Sequence, residues 1–309
     1  MRAAVIGVGH LGRHHARILS TLPGVTLVAV VDTNAERAAK IAADHGTRAY
    51  SDWRDLAGKV DAAVIAVPTE AHAEVAVPLI ESGVHALVEK PLASTVEEAD
   101  RLINAARDGG VVLAVGHSER FNPAFMAARP HIQDPRFIEV HRLGTFSERS
   151  LDIDVVLDLM IHDLDLLLSL VRSEVESAEA VGVPVLTRRI DIANVRLKFE
   201  NGCIANLTAS RISREPVRKI RFFERDSYVS IDSAAGEVER WHLVRQAGAL
   251  PRIDGGKLEV SGEEPLKREL EDFVGAIRDA RAPEVTGDQG RAAVKLAARI
   301  VELMGLGIS

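Results

Sequence analysis

The chain reads as a two-domain α/β protein. A doubly wound parallel sheet comes first, followed by an α+β domain with a large open, mostly antiparallel sheet. Three observations predict this. The string Gly7-Val8-Gly9-His10-Leu11-Gly12 separates a short apolar run from a helical pattern. Apolar runs then alternate with helical patterns to about residue 117, the order that produces a parallel sheet. From about residue 118 the texture turns to successive extended runs parted by turns such as Glu200-Asn201-Gly202, which suggest hairpins.

In chain order, residues 3–6 are expected to form a buried strand, and the helix after the glycines runs to residue 19. A second strand, 25–31, ends on Asp32, twenty residues after Gly12. Asn34 is placed to cap a helix reaching about residue 45. Residues 47–50 and 61–67 read as strands, the latter closed by Pro68. A helix over 69–82 stops at Gly83, and 84–88 form a strand leading into Glu89-Lys90-Pro91. A helix over 95–108 and a strand over 111–115 complete a first domain at 1–117.

The second domain, 118–309, is expected to carry helices at 121–131 and 154–171 and a strand at 136–146. Strands at 177–185, 190–199, 203–212, 217–223 and 228–231 follow, then helices at 265–280 and 290–304. Its helices would cover one sheet face and leave the other for a partner.

Composition narrows the function classes. A chain of 309 residues has room for two cores, and 47% apolar with 27% charged residues is an ordinary globular balance. A net charge of −7 gives no footprint for nucleic acid or an anionic membrane. The single cysteine, Cys203, cannot form an intramolecular disulfide, and no signal peptide precedes the first strand, so a cytoplasmic setting is expected. The apolar stretch 155–171 is interrupted by Asp158, His162, Asp163 and Asp165, which argues against a membrane span.

The glycine string in its strand–helix context is a dinucleotide-binding fingerprint. Gly7 would allow the tight turn, Gly9 the close approach of a pyrophosphate, and Gly12 the packing of helix on sheet. Phosphates would lie at the helix N-terminus. Asp32 would accept hydrogen bonds from the adenosine ribose and repel a 2′-phosphate, favouring NAD over NADP. In such sheets the ligand lies outside the carboxyl ends of the strands, where polar residues gather here. The cofactor candidates are therefore Gly7, Gly9, His10, Leu11, Gly12, Asp32, Thr33, Pro68, Thr69, His72, Glu89 and Lys90.

Asp158, His162 and Asp165 stand at i, i+4 and i+7 of the expected helix, on one face, between the apolar Leu159, Met160, Ile161 and Leu164. Asp158 could hydrogen-bond and orient the His162 imidazole, an arrangement suited to taking a hydroxyl proton as hydride leaves the same carbon. Lys90, at a strand end on the cofactor side, is a second acid–base candidate. A solvated acidic face around a core histidine is the plain alternative. No metal site is expected: His10 and His14 lack a third ligand nearby, and hydride transfer to NAD needs no Lewis acid.

The segments GVGHLGRHH, VPTEAH, LVEKPL and DLMIHDLD together resemble the glucose–fructose oxidoreductase, inositol dehydrogenase and MocA family, over nearly the whole chain. The resemblance implies a Rossmann domain, a second domain whose open sheet makes homodimer or homotetramer contacts, and NAD(P)-dependent oxidation of a sugar or cyclitol hydroxyl. It matches Lys90, Asp158 and His162 to the family's catalytic positions. GHSERFNPAF and FENGCIANLTASR further resemble the branch that oxidises C3 of UDP-N-acetylglucosamine. That likeness implies Glu119, Arg120 and Asn122 in the sugar site and Arg149 and Arg211 as diphosphate contacts. A dehydrogenase of free sugars or cyclitols, and a non-catalytic NAD sensor, are the competing readings.

Overall fold

The computed structural model describes residues 1–146, 153–246 and 249–305. It divides into two compact units, Met1–Ser118 with Glu264–Val294, and Glu119–Glu263 with the chain from Lys295 onward.

In the first unit β1 (Arg2–Ile6), β2 (Thr26–Val31), β3 (Arg48–Tyr50), β4 (Ala62–Ile65), β5 (His85–Glu89) and β6 (Leu113–Gly116) form one parallel sheet in the order β3-β2-β1-β4-β5-β6. Every residue of β4 and β6 is buried, as expected of parallel strands covered on both faces. The connecting helices are α1 (Gly12–Leu19), α2 (Ala35–His45), α3 (His72–Glu81) and α4 (Val96–Gly109). Asn34 caps α2 as expected, its side-chain oxygen accepting the Arg37 N–H at 2.9 Å. The strand order reverses between β1 and β4, so the crevice that a Rossmann sheet offers a ligand opens beside Gly7 and Pro68.

In the second unit a short α5 (Pro123–Ala128) precedes β7 (Phe137–Leu143) and α6 (Ile161–Leu170). The strands β8 (Val175–Val183), β9 (Ile192–Phe199), β10 (Ile204–Ser210), β11 (Val217–Phe223), β12 (Ser227–Asp232), β13 (Glu237–Val244) and β14 (Arg252–Lys257) join β7 in an eight-stranded sheet. Its order is β14-β13-β12-β11-β7-β10-β9-β8, antiparallel throughout except for the β7–β10 pair. Burial alternates strictly along β9, so one face is packed and the other open. β13 and β14 were not expected from the sequence. β13 has a single buried residue, Val238, and β14 none, and Gly255 and Gly256 break any apolar alternation in β14.

The C-terminal helices differ from expectation in where they pack. Residues 264–294, read from the sequence as part of the second domain, belong to the first unit. Leu270 and Phe273 of α7 (Pro265–Arg278) share a core cluster with Val5, Leu19, Val30 and Leu87. The helix α8 (Gly287–Leu303) is divided between the two units at Val294. Among the described residues no helix is long and apolar enough to cross a membrane.

Candidate active site

The three glycines after β1 have separate steric reasons. Gly7 adopts φ +82°, and a Cβ there would lie 2.5 Å from the Ala66 carbonyl oxygen. A Cβ on Gly12 would stand 1.7 Å from the Gly7 carbonyl oxygen, so only glycine lets α1 close on the turn. Gly9 is different: nothing lies within 4 Å of its missing Cβ. No packing demand within the protein requires glycine at that position, but a pyrophosphate pressed against the backbone would.

A cavity of about 690 Å³ begins there. Gly7, Gly9, Asp32, Thr33 and Pro68, all expected at the cofactor, line it together with Arg37, Trp53 and Arg54. Asp32 is buried and accepts from the Val8 and Asn34 main-chain N–H groups at 3.0 and 2.9 Å. It also accepts two bonds from Arg37, Nε at 2.9 Å and Nη2 at 2.7 Å. Burial pushes its carboxyl up, but Arg37 and the main-chain donors outweigh that and hold it below the usual aspartate range. Arg37 was not anticipated, although its place one turn inside α2, three residues after the cap, puts it within reach of the end of β2. These residues fit the adenosine and phosphate portion of a dinucleotide. His10 and Leu11 are exposed on the loop, and Thr69 is half-buried at the turn before α3.

His72 is buried, each ring nitrogen 3.0 Å from a main-chain carbonyl, Pro91 on one side and Val67 on the other. Burial holds its pKa below the ordinary value. It ties the end of β4 to the end of β5.

Lys90 is half-buried at the end of β5. Behind it the Glu89 carboxylate is buried, with Oε1 2.7 Å from His15 Nε2 and Oε2 accepting the Lys90 main-chain N–H at 3.1 Å. Glu269 of α7 completes a buried triad with these two, one ligating atom from each lying within 4.8 Å of the others. Among the described residues neither oxygen of Glu269 has a hydrogen-bond partner. Sequence reading missed both His15 and Glu269. The signal was present: each is a polar residue on the apolar stripe of its helix, with Gly12, Ala16 and Leu19 in α1 and with Leu270 and Phe273 in α7.

The segment carrying Asp158 and His162 is not a uniform α-helix. It opens with a π turn over Val156–Met160 before α6, and such turns are frequent at functional sites. The i, i+4, i+7 rule for one face does not hold across a π turn. Asp158 and His162 are both half-buried, whereas Asp165 is 1% exposed and takes two bonds from Arg120, at 2.6 and 2.9 Å. Asp163 is likewise buried and bonded twice by Arg142, at 2.8 Å each. Two of the three acids around His162 are thus structural, and of the four residues expected to anchor the helix Met160, Ile161 and Leu164 are buried while Leu159 is half-buried.

This corrects the expectation for Arg120, whose guanidinium is 3% exposed and committed to Asp165. Arg211 is also buried, donating from Nη2 to the Ile153 carbonyl at 2.6 Å. Arg120, expected in the sugar site, and Arg211, expected at a diphosphate, are both engaged within the protein instead. Glu119 is half-buried and receives Arg142 Nη1 at 3.3 Å, and Asn122 caps α5 by accepting the Ala124 N–H at 3.0 Å. Asp154 accepts the Ile190 N–H at 2.9 Å. Arg149 lies outside the described residues.

Comparison with known proteins places the chain. Residues 1–117 match an oxidoreductase family model described as an NAD-binding Rossmann fold, and 96–224 match the GFO/IDH/MocA C-terminal domain. UDP-N-acetylglucosamine 3-dehydrogenase of Acidithiobacillus ferrooxidans is 42% identical over 304 residues, 97% of this chain and 96% of that protein. A solved structure of that enzyme superposes with a TM-score of 0.93 at 40% identity, covering 99% of this chain and 98% of the other. The scyllo-inositol 2-dehydrogenase (NAD(+)) of Bacillus subtilis is 25% identical over 93% of this chain and 89% of its own. Levoglucosan dehydrogenase, in complex with NADH and levoglucosan, shares the fold at a TM-score of 0.89 and 20% identity, covering 99% of this chain and 97% of that one.

The fold and the glycine loop define an NAD(P)-dependent oxidoreductase with a Rossmann domain. The chain belongs to the Gfo/Idh/MocA family, which contains dehydrogenases of sugars and cyclitols.

Proposed function

We propose that the chain oxidises the C3 hydroxyl of a UDP-N-acetylhexosamine to a ketone with NAD as acceptor. The observation that carries this reading is the end-to-end similarity, at 42% identity, to a UDP-N-acetylglucosamine 3-dehydrogenase. Bound NAD supplies a hydride acceptor. The chain's own residues supply binding and proton chemistry. His162 takes the hydroxyl proton, Asp158 orients the imidazole, and Lys90 serves as the second acid–base group at the reacting oxygen. Asp32 receives the ribose hydroxyls and disfavours a 2′-phosphate. Substrate contacts from Glu119, Asn122 and Arg149 belong to the same reading.

The open sheet face is proposed to join copies of the chain into a dimer or tetramer. A row of aromatic side chains supports this: Phe137, Phe223, Tyr228 and Trp241 are register partners across four neighbouring strands. Their first three rings pack with centroids 5.6 and 5.2 Å apart. A cytoplasmic location fits the same reading.

The test is to supply NAD with UDP-sugars, free sugars and cyclitols, with a trap for the keto product, and to follow reduced nicotinamide. Turnover of UDP-N-acetylglucosamine is expected, with kcat reduced roughly 10²–10⁴-fold in His162→Ala or Lys90→Ala at unchanged melting temperature. Turnover of cyclitols alone, or tight NAD binding with no turnover of any substrate, overturns the proposal.

A further inference from the structure

The buried triad behind Lys90 has a charge problem that its geometry resolves in one way. Glu269 is 2% exposed, and no described residue hydrogen-bonds either of its oxygens. The charges that bear on it are those of Glu89 and, from its own helix, Asp272, both negative. Glu89 itself is compensated: His15 of α1 donates to it, Lys90 lies beside it, and its carboxyl stays below the usual range although burial opposes that. His72 of α3 senses Glu89, and a Cβ on Gly116 of β6 would lie 3.0 Å from Glu89 Oε2, so the pocket is closed from that side. An ionised Glu269 in such surroundings is strongly disfavoured, and either a proton or a cation must neutralise it.

The distances choose the proton. Two donors held by one first-row metal ion at about 2.0–2.2 Å stand roughly 3.3 Å apart in tetrahedral geometry. His15 Nε2 and Glu89 Oε1 are 2.7 Å apart, a direct hydrogen bond with no room for an ion between them. We propose that Glu269 is held as a neutral carboxylic acid beside Glu89, which leaves Glu89 the ionised member of the pair and able to hold the strand end from which Lys90 projects. The link is the Glu89 oxygen that accepts the Lys90 main-chain N–H. Glu269 is a positioning residue, and its importance to turnover rests on the acid–base role proposed for Lys90.

The pH dependence follows in sign. Burial and Glu89 raise the folded-state pKa of Glu269 well above its ordinary value. Below the ordinary glutamate pKa the group is protonated folded or unfolded and changes nothing. As pH rises, the unfolded chain releases the proton first, so this group's contribution to stability declines until the folded-state pKa is passed. Glu269→Gln keeps the neutral form at every pH.

Three measurements on the full-length protein test this, and none of them needs the substrate. The native-minus-Glu269→Gln infrared difference spectrum at about pH 7 should show the carbonyl stretch of a protonated carboxylic acid. The melting temperature of Glu269→Gln relative to native should rise by roughly 3 °C or more between about pH 6 and pH 9. Metal analysis should find no stoichiometric divalent ion lost in the variant. A missing infrared band, a stability gap independent of pH, or one equivalent of bound metal overturns the proposal. Should the variant not fold, the same band followed by pH titration of the native protein decides. With an active substrate in hand, Glu269→Gln should move the alkaline limb of kcat upward and leave its effect on kcat rather than KM for the nucleotide. Failure of turnover alone would count against the substrate reading and leave the infrared result standing.

Discussion

The glycine loop and the helical segment that carries His162 are both marked by short motifs, yet their polar groups are treated in opposite ways. At the loop, Gly9 faces open space and Asp32 borders a cavity. Around His162, Asp163 and Asp165 turn inward and are locked by Arg142 and Arg120. The same residue type, aspartate at a motif position, borders a cavity in one place and is an internal brace in the other. All three carboxylates are buried and paired with an arginine; what differs is the arginine, since Arg37 beside Asp32 is half exposed and lines the cavity whereas Arg120 and Arg142 are buried.

The largest expected effect breaks that contrast at its buried end. Arg120 and Asp165 form a bidentate pair with side chains 2% and 1% exposed. Removing one partner leaves a buried charge uncompensated. Arg120→Leu should destabilise the fold by about 3–5 kcal/mol, while Arg120→Leu with Asp165→Leu should recover most of that loss. Denaturant unfolding of the two variants measures it. If Arg120→Leu unfolds like the native protein, Arg120 is not a brace, and its place in the sugar site is open again.

The glycine loop offers a sharper form of the comparison because two neighbouring positions should fail differently. Gly12→Ala forces a Cβ against the Gly7 carbonyl oxygen at 1.7 Å and should cost about 1–3 kcal/mol or more of stability. Gly9→Ala meets nothing within 4 Å, so stability should stay within about 0.5 kcal/mol while NAD affinity falls. Thermal unfolding with and without NAD separates the two. Equal loss of stability in both variants would mean that Gly9, like Gly12, answers to packing and not to the cofactor.

The same contrast explains what could be read from the sequence. The Rossmann sheet was legible because its strands are apolar runs and its glycines have local steric causes. Lys90 could be placed for the same reason: it follows the fifth such strand. The roles of Asp158, His162 and Asp165 were half legible. Helical spacing located them, but the π turn over Val156–Met160 and the arginines from α5's approach and β7 leave no trace in local periodicity. Arg120 and Arg211 were placed at the substrate by resemblance, which does not reveal a partner distant in sequence, 45 residues for Arg120 with Asp165 and 58 for Arg211 with Ile153. The assignment of α7 failed similarly, since an amphipathic helix announces that it packs and not what it packs against. β14 was missed because an edge strand with no buried residue has little reason to alternate, and β13 because Val238 is its one buried residue.

The smallest expected effect concerns Arg37, which stands on the border between the two treatments. Its guanidinium pairs with Asp32, yet its side chain is 47% exposed and lines the cavity. A pair with one partner so exposed contributes about 0.2–1 kcal/mol, so Arg37→Ala should barely alter stability. The consequence lies in cofactor choice. Asp32 with Arg37 in place offers a ribose hydroxyl an acceptor already engaged by a cation, and that cation is also positioned to meet a 2′-phosphate. Arg37→Ala should therefore lower kcat/KM with NADP by roughly tenfold, the worth of one charge-assisted hydrogen bond, and change that with NAD by no more than about twofold. If both cofactors lose equally, Arg37 acts through the shape of Asp32 alone, and cofactor selection at this strand end rests on the carboxylate by itself.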